Sequence, residues 1–349
     1  MFRVLIAATA AALMGVTAAS AAAPVAATAR PSATTTFSVD CRTRAAIKAD
    51  ERTAVEGLST TLFQRLTAGQ MDTAFALLAA EIQQSVGREP FDKSLGFVRG
   101  VGAWGAPRVT RTYLLDVVGE PPQETTSCEG PDGLPEAYVA VHSFARQAHV
   151  TIEADAGGER WGFTSWLRFK DGRWDVYAID VRNIGVGELG AAEVYAMARD
   201  QRAKAHPMSA WLLYRAARSL AGRGDYFSLP LLSEIEDDMR AWDATLLEPG
   251  ELPVFWTSGR TTYGVQDSMV AALDGKPWIQ LQRWSSVWAG EREIKAENRR
   301  VLAAFLKEHP DWAESFTGVE LKTFHPDGRQ TISTLYTAAR GYYEIASQP

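Results

Sequence analysis

Trp161 to Val181 reads WGFTSWLRFKDGRWDVYAIDV, and this stretch decides the fold class. Asp171-Gly172 is a two-residue turn of the kind that joins antiparallel strands, because both positions accept positive φ. On either side of it, aromatic and β-branched residues recur with a period of two. Trp161 to Lys170 and Trp174 to Val181 are therefore predicted strands of one hairpin, with Trp174, Val176, Ala178 and Asp180 sharing a face.

Working outward, Gly157-Gly158 turns the first of these strands back into a predicted strand from Ala148 to Asp155, and Tyr138 to Phe144 reads as another. Val109, Arg111, Tyr113, Leu115 and Val117 share a face of a further strand, which Gly119-Glu120-Pro121-Pro122 breaks. Before them the period is helical. Val55, Leu58, Leu62, Phe63 and Leu66 repeat at that spacing, and Gly69 stops the run. Asp72 is the expected N-cap of a second helix carrying Phe75, Leu78, Ala79 and Ile82, and a short third helix starts near Phe91. Helices followed by a curled antiparallel sheet make an α+β unit over residues 45–186.

The run Leu62-Phe63 through Leu66, Gly69, Asp72, Ala74-Phe75 and Leu77-Leu78 resembles the opening helices of the nuclear-transport-factor-like, ketosteroid-isomerase-like cone, a cystatin-like α+β fold. The hairpin Phe169-Lys170-Asp171-Gly172-Arg173-Trp174-Asp175-Val176 is similar to its closing pair of strands. The resemblance implies a sheet wrapped around a long helix, with an apolar pocket at the open end. It does not assign an activity, since that fold hosts enzymes, binders and assembly modules.

Residues 187–248 are predicted to be a helical connector. Val194, Met197, Ala198 and Gln201, then Ala210, Tyr214 and Ala217, follow the spacing of a single tetratricopeptide-like helix pair, with His206-Pro207 at its turn. A further helix spans Leu231 to Trp242. Glu248-Pro249-Gly250 marks the next boundary, and residues 249–349 read as a second small α+β domain. Its expected strands are Val254 to Thr257, Tyr263 to Leu273, Lys276 to Trp284, Val319 to Phe324 and Gln330 to Thr337. Its expected helix, Ile294 to Leu306, is closed by His309-Pro310, and Pro326-Asp327-Gly328 supplies its last turn.

At the start of the chain, Arg3 precedes an uncharged Ala-rich stretch from Val4 to Val16, and Ala19-Ser20-Ala21 offers small residues for cleavage. This is the pattern of a secretory signal peptide cut after about Ala21, which implies a periplasmic or secreted protein. Residues 22–44 are expected to form a flexible leader, the stretch before Cys41 being rich in Ala, Thr, Pro and Ser. The formal net charge of −6 becomes −7 once Arg3 leaves with the peptide. Basic residues are scattered, so no face is suited to nucleic acid, and no run is long and apolar enough for a membrane span.

In an exported chain the only two cysteines, Cys41 and Cys128, are expected to form a disulfide tying the N-terminal arm to a polar loop, Glu124 to Pro135. Two unpaired thiols are the alternative.

Catalytic signatures are absent: the sequence holds no Gly-x-Ser-x-Gly, His-Glu-x-x-His, Walker or dinucleotide-binding pattern. Five dispersed histidines do not make a metal site, and no cofactor is implied. An isomerase-type cone would need a carboxylate or histidine base opposite a tyrosine or acid donor. Strand alternation nominates Tyr113, His142, Phe144 and Asp180 as pocket residues. Their plain alternative is core packing, ordinary hydrogen bonding and a strand-end cap. Among 11 tryptophans, Trp256, Trp278, Trp284, Trp288 and Trp312 fall in the last domain, where an exposed ring would anchor a partner or stack on a sugar. The resulting expectation is an exported, non-catalytic binding or envelope-assembly protein, taking a small apolar ligand or an envelope protein. The alternative is a cone-pocket enzyme of isomerase or hydratase type.

Overall fold

Val55, Ser59, Leu62, Phe63 and Leu66 line the buried face of α1 (Ala49–Thr67). Their spacing of three and four residues gives that helix one apolar stripe, and it lies on a sheet. The computed structural model describes residues 37–119, 124–224, 226–242, 254–258, 261–285, 290–326 and 331–343. The proposed signal peptide, most of the leader and the boundary at Glu248-Pro249-Gly250 lie outside them. The protein is α+β and divides into two compact units. The first holds residues 37–101, 109–152 and 163–180. The second holds residues 102–108, 153–162 and everything described from 181 onward.

The sheet that forms most of the first unit has the order β1 (Ser38–Thr43), β2 (Arg108–Val118), β5 (Arg146–Ala156), β6 (Glu159–Lys170) and β7 (Arg173–Asn183), the ends of its last four strands falling in the second unit. It is open, with β1 and β7 at its edges. Asp171 and Gly172 have φ of 51° and 77°, and Gly157 and Gly158 have 61° and 79°, so both hairpin turns are of the left-handed kind the sequence predicts. One face of the sheet packs on α1. Ser59 and Ser165 share a buried hydrogen bond of 2.6 Å, and Phe63 meets Phe163 edge to face at 6.0 Å. Each such large buried side chain contributes roughly 1.5–3 kcal/mol.

The other face is covered by a hairpin of β3 (Glu124–Glu129) and β4 (Pro135–Val141). Cys128 on β3 is bonded to Cys41 on β1, so the expected disulfide is present and neither cysteine is free. Two sequence expectations change here. Ser38–Thr43 is a strand, not leader, because it pairs antiparallel with β2, Cys41 opposite Leu115. Glu124–Glu129 is likewise a strand rather than loop. Its Thr125-Thr126 segment pairs with Ala140 and Val139, which outweighs the polar composition.

The second expected helix is split. Asp72 is not its cap: α2 runs Met71–Phe75 after Gln70, and Asp72 instead pairs with Arg88 at 2.6 Å. The chain then opens, Ala79 N–H donating to Val176 O at 2.8 Å and Val176 N–H to Leu77 O at 3.1 Å, before α3 (Ala80–Val86) begins. The open backbone of edge strand β7 captures a segment that would otherwise continue as helix. A fourth helix, α4 (Arg88–Leu95), carries the buried Phe91 as expected.

The second unit contains α5 (Ala191–Ala203), α6 (Pro207–Ala221), a two-residue strand β8 (Phe227–Ser228) and α7 (Leu231–Ala241). Pro207 occupies the first turn of α6, where its missing N–H costs nothing. A hairpin follows, β9 (Val254–Ser258) with β10 (Thr261–Val265). A sheet then runs in the order β11 (Asp267–Leu273), β12 (Lys276–Trp284), β13 (Gly318–Phe324), β14 (Thr331–Thr337) and β15 (Gly341–Tyr343). Strands β12 and β13 are parallel, joined through α8 (Glu291–Glu308), as a parallel pair requires a crossover. Val194, Leu213 and Ala217 of the expected connector share one core with Ile279, Leu281, Val301, Phe305 and Val319. The helix pair is therefore part of the same unit as the C-terminal sheet.

Candidate functional site

Strand alternation in the first unit places Gln147 and His149 on one face of β5, Trp166 and Arg168 on β6, and Asp175 and Tyr177 on β7. These three pairs stand side by side because β5, β6 and β7 are neighbours. His149 stacks on Trp166 at 5.1 Å, and Trp166 meets Tyr177 edge to face at 5.4 Å.

The expected strand Tyr138–Phe144 stops at Val141, so His142 and Phe144 belong to the loop into β5 rather than to a strand face. Gln147 holds that loop. Its buried amide donates to His142 O at 2.8 Å and to Phe144 O at 3.2 Å. Its Oε1 accepts from His142 N–H at 3.2 Å and from Trp166 Nε1 at 3.0 Å. The loop so fixed lays His142 flat on Phe144, ring centroids 4.7 Å apart, with Tyr177 at 5.5 Å from His142 and 4.7 Å from Phe144. All three rings are half-buried, so each keeps surface toward solvent.

Beneath them the Arg168 guanidinium lies 5.4 Å from the Phe144 centroid and 5.9 Å from that of Tyr177, within cation–π range. It is buried and clamped by two carboxylates. Asp175 is reached at 2.8 and 3.3 Å, and Glu81 of α3 is held by two further hydrogen bonds. The rings thus rest on a charged support that is itself immobilised.

His142 Nδ1 accepts the Ser143 backbone N–H at 2.9 Å, and burial lowers its pKa, which favours the neutral ring. His149 is fully buried. Burial holds its pKa down at about 4, although the Nε2–H bond to Ala140 O at 2.9 Å works the other way. Its Nδ1 has no hydrogen-bond partner among the described residues. Both histidines therefore enter the cluster as neutral aromatic rings.

Tyr113 and Asp180 do not share this arrangement. Tyr113 is only 1% exposed on β2, and its hydroxyl donates to Glu136 of β4 at 3.1 Å. Burial raises its pKa first, and the adjacent carboxylate raises it further, so the phenol stays protonated. Asp180 is even-numbered on β7, on the face opposite Asp175 and Tyr177. The four nominated residues thus resolve into one stacked pair, His142 and Phe144, and two positions elsewhere on the sheet. Gln147, Trp166, Arg168 and Tyr177 went unnominated. The signal available for Trp166, Arg168 and Tyr177 is the two-residue spacing 166/168 and 175/177 in two predicted strands, whereas Gln147 precedes the predicted strand Ala148 to Asp155 and has none.

Of the tryptophans singled out in the last domain, Trp278 and Trp312 are buried, while Trp284 is 50% exposed and stacks on Phe324 at 5.0 Å. The Trp256 side chain and Trp288 lie outside the described residues. Among the described residues no group of three or more His, Cys, Asp or Glu is placed to hold a metal ion, and no helix is long and apolar enough to cross a membrane. Comparison with protein-family models, with curated proteins and with solved structures found no match to this chain.

Proposed function

We propose that this chain is an exported, periplasmic or secreted binding protein that performs no chemistry, and that its first unit is a cone-like module receiving a small apolar ligand. The observation that carries the reading is the half-exposed ring cluster of His142, Phe144 and Tyr177, held in place by Gln147 and Arg168. Preorganised rings bind apolar surface without the ordering cost that flexible side chains incur. The polar groups nearest the rings support binding over proton transfer. The histidines are held neutral, and the carboxylates of Asp175 and Glu81 are engaged by Arg168. The disulfide fits an oxidising compartment.

The test is saturable binding of a hydrophobic naphthalene-sulfonate dye, followed by fluorescence, and its displacement by an envelope lipid extract. Phe144→Ala and Tyr177→Ala each remove exposed ring surface and are expected to weaken dye binding by about tenfold, the scale of a central contact. Unchanged binding in both variants would remove the ring cluster as the site.

A further inference from the structure

The sheet of the second unit has two unlike faces. Its odd-numbered β12 and β13 residues lie under α8: Asn298 accepts from Thr323 at 2.7 Å, and Glu297 pairs with Arg283 at 3.1 Å. The even-numbered residues point the other way, and the register aligns them in rows. Gln280 stands beside Glu320, Gln282 beside Lys322, and Trp284 beside Phe324. We infer that this second face is a saccharide-binding platform for a neutral pyranose oligosaccharide, with the Trp284–Phe324 stack as its hydrophobic floor.

Three features of the face select that ligand chemistry. First, Trp284 stacks on Phe324 and is still half exposed, so the indole keeps apolar surface of the kind a hexose C–H face packs on. Second, the next row along the strands, about 7 Å away at two residues per step, is Gln282 beside Lys322, and both are fixed in place by the row beyond them, Gln280 beside Glu320. Gln282 Nε2 donates to Gln280 Oε1 at 3.1 Å, Gln280 Nε2 donates to Glu320 at 2.7 Å, and Lys322 lies 3.6 Å from the same carboxylate. A sugar laid on the rings would bring its equatorial hydroxyls to this row, which holds both donors and acceptors. Third, the Lys322 charge is already met by Glu320 at 3.6 Å and by Glu159, so this row is matched to a neutral ligand rather than an acidic one. Burial falls along the face, from Trp278 at its closed end to Trp284 at its open end, so a ligand enters from the Trp284 side.

The site is separate from the ring cluster of the first unit and does not depend on the proposal made for it. Isothermal titration of the full chain with chitohexaose and, in parallel, cellohexaose tests it. Binding of at least one is expected, weakened about tenfold by Trp284→Ala and largely kept by Trp284→Tyr, which preserves a stacking ring. Lys322→Ala is expected to weaken it severalfold. Because Trp284 is exposed, these variants should retain the circular dichroism of the parent. No heat from either sugar at millimolar concentration overturns the inference, as does binding that Trp284→Ala leaves unchanged. Trp284-dependent capture of a protein without any response to sugar overturns it too.

Discussion

Breaking the Cys41–Cys128 bridge should cost the first unit more than any single non-covalent contact there. The two residues are 87 positions apart, so the bond closes a long loop in the unfolded chain. In the chain-entropy model a loop of that length corresponds to about 4.5 kcal/mol at room temperature. Native contacts add little to this, because Cys128 is fully buried and its replacement by alanine leaves a small void worth about 1 kcal/mol at most. With a urea slope of about 2 kcal/mol per molar, the midpoint should fall by about 2 M. The two units need not unfold together, so the transition is followed through signals from the first unit. The diagnostic comparison is among Cys41→Ala, Cys128→Ala and the double variant. Either single change abolishes the bond, so each should lose nearly the whole effect, and the double should lose hardly more. Additive losses, or two reactive thiols in denatured, unreduced protein, would refute the account.

Two further outcomes follow from the ring cluster. His149 has its pKa depressed from 6.5 to about 4, so the unfolded chain binds the extra proton first as pH falls. Its contribution is complete above about pH 6.5 and is lost between there and about pH 4, a total of about 3 kcal/mol. Urea midpoints measured across that range should drop, and His149→Gln should remove that part of the slope; an equally steep slope in the variant would contradict the assignment. Arg168→Met leaves Asp175 buried without its partner and should cost about 3 kcal/mol in thermal unfolding, with Glu81 contributing less because it is half exposed. The double change Arg168→Met with Asp175→Leu should recover much of that loss, and no recovery would mean that the pair is not the source.

What was legible in the sequence was what local rules decide. The apolar stripe of α1 follows from Val55, Leu62, Phe63 and Leu66 alone, and the hairpins at Gly157-Gly158 and Asp171-Gly172 from residues that accept positive φ. The elements that escaped are those made by a partner far away in the chain. Ser38–Thr43 and Glu124–Glu129 are strands because β2 and β4 offer them edges, and the break between α2 and α3 exists because Val176 does. No window of sequence around those segments contains its cause. The candidate site sits at the meeting of both kinds of rule. Alternation points to His142 and Phe144, yet it treats their segment as strand, and so groups them with Tyr113 and Asp180. What sets these rings is Gln147, whose amide gathers the loop by bonding both of their carbonyls. A buried glutamine five residues from His142 carries no motif of its own. Its role is visible only once β5 places it against Trp166, which makes the loop a consequence of the sheet and the ring cluster a consequence of the loop.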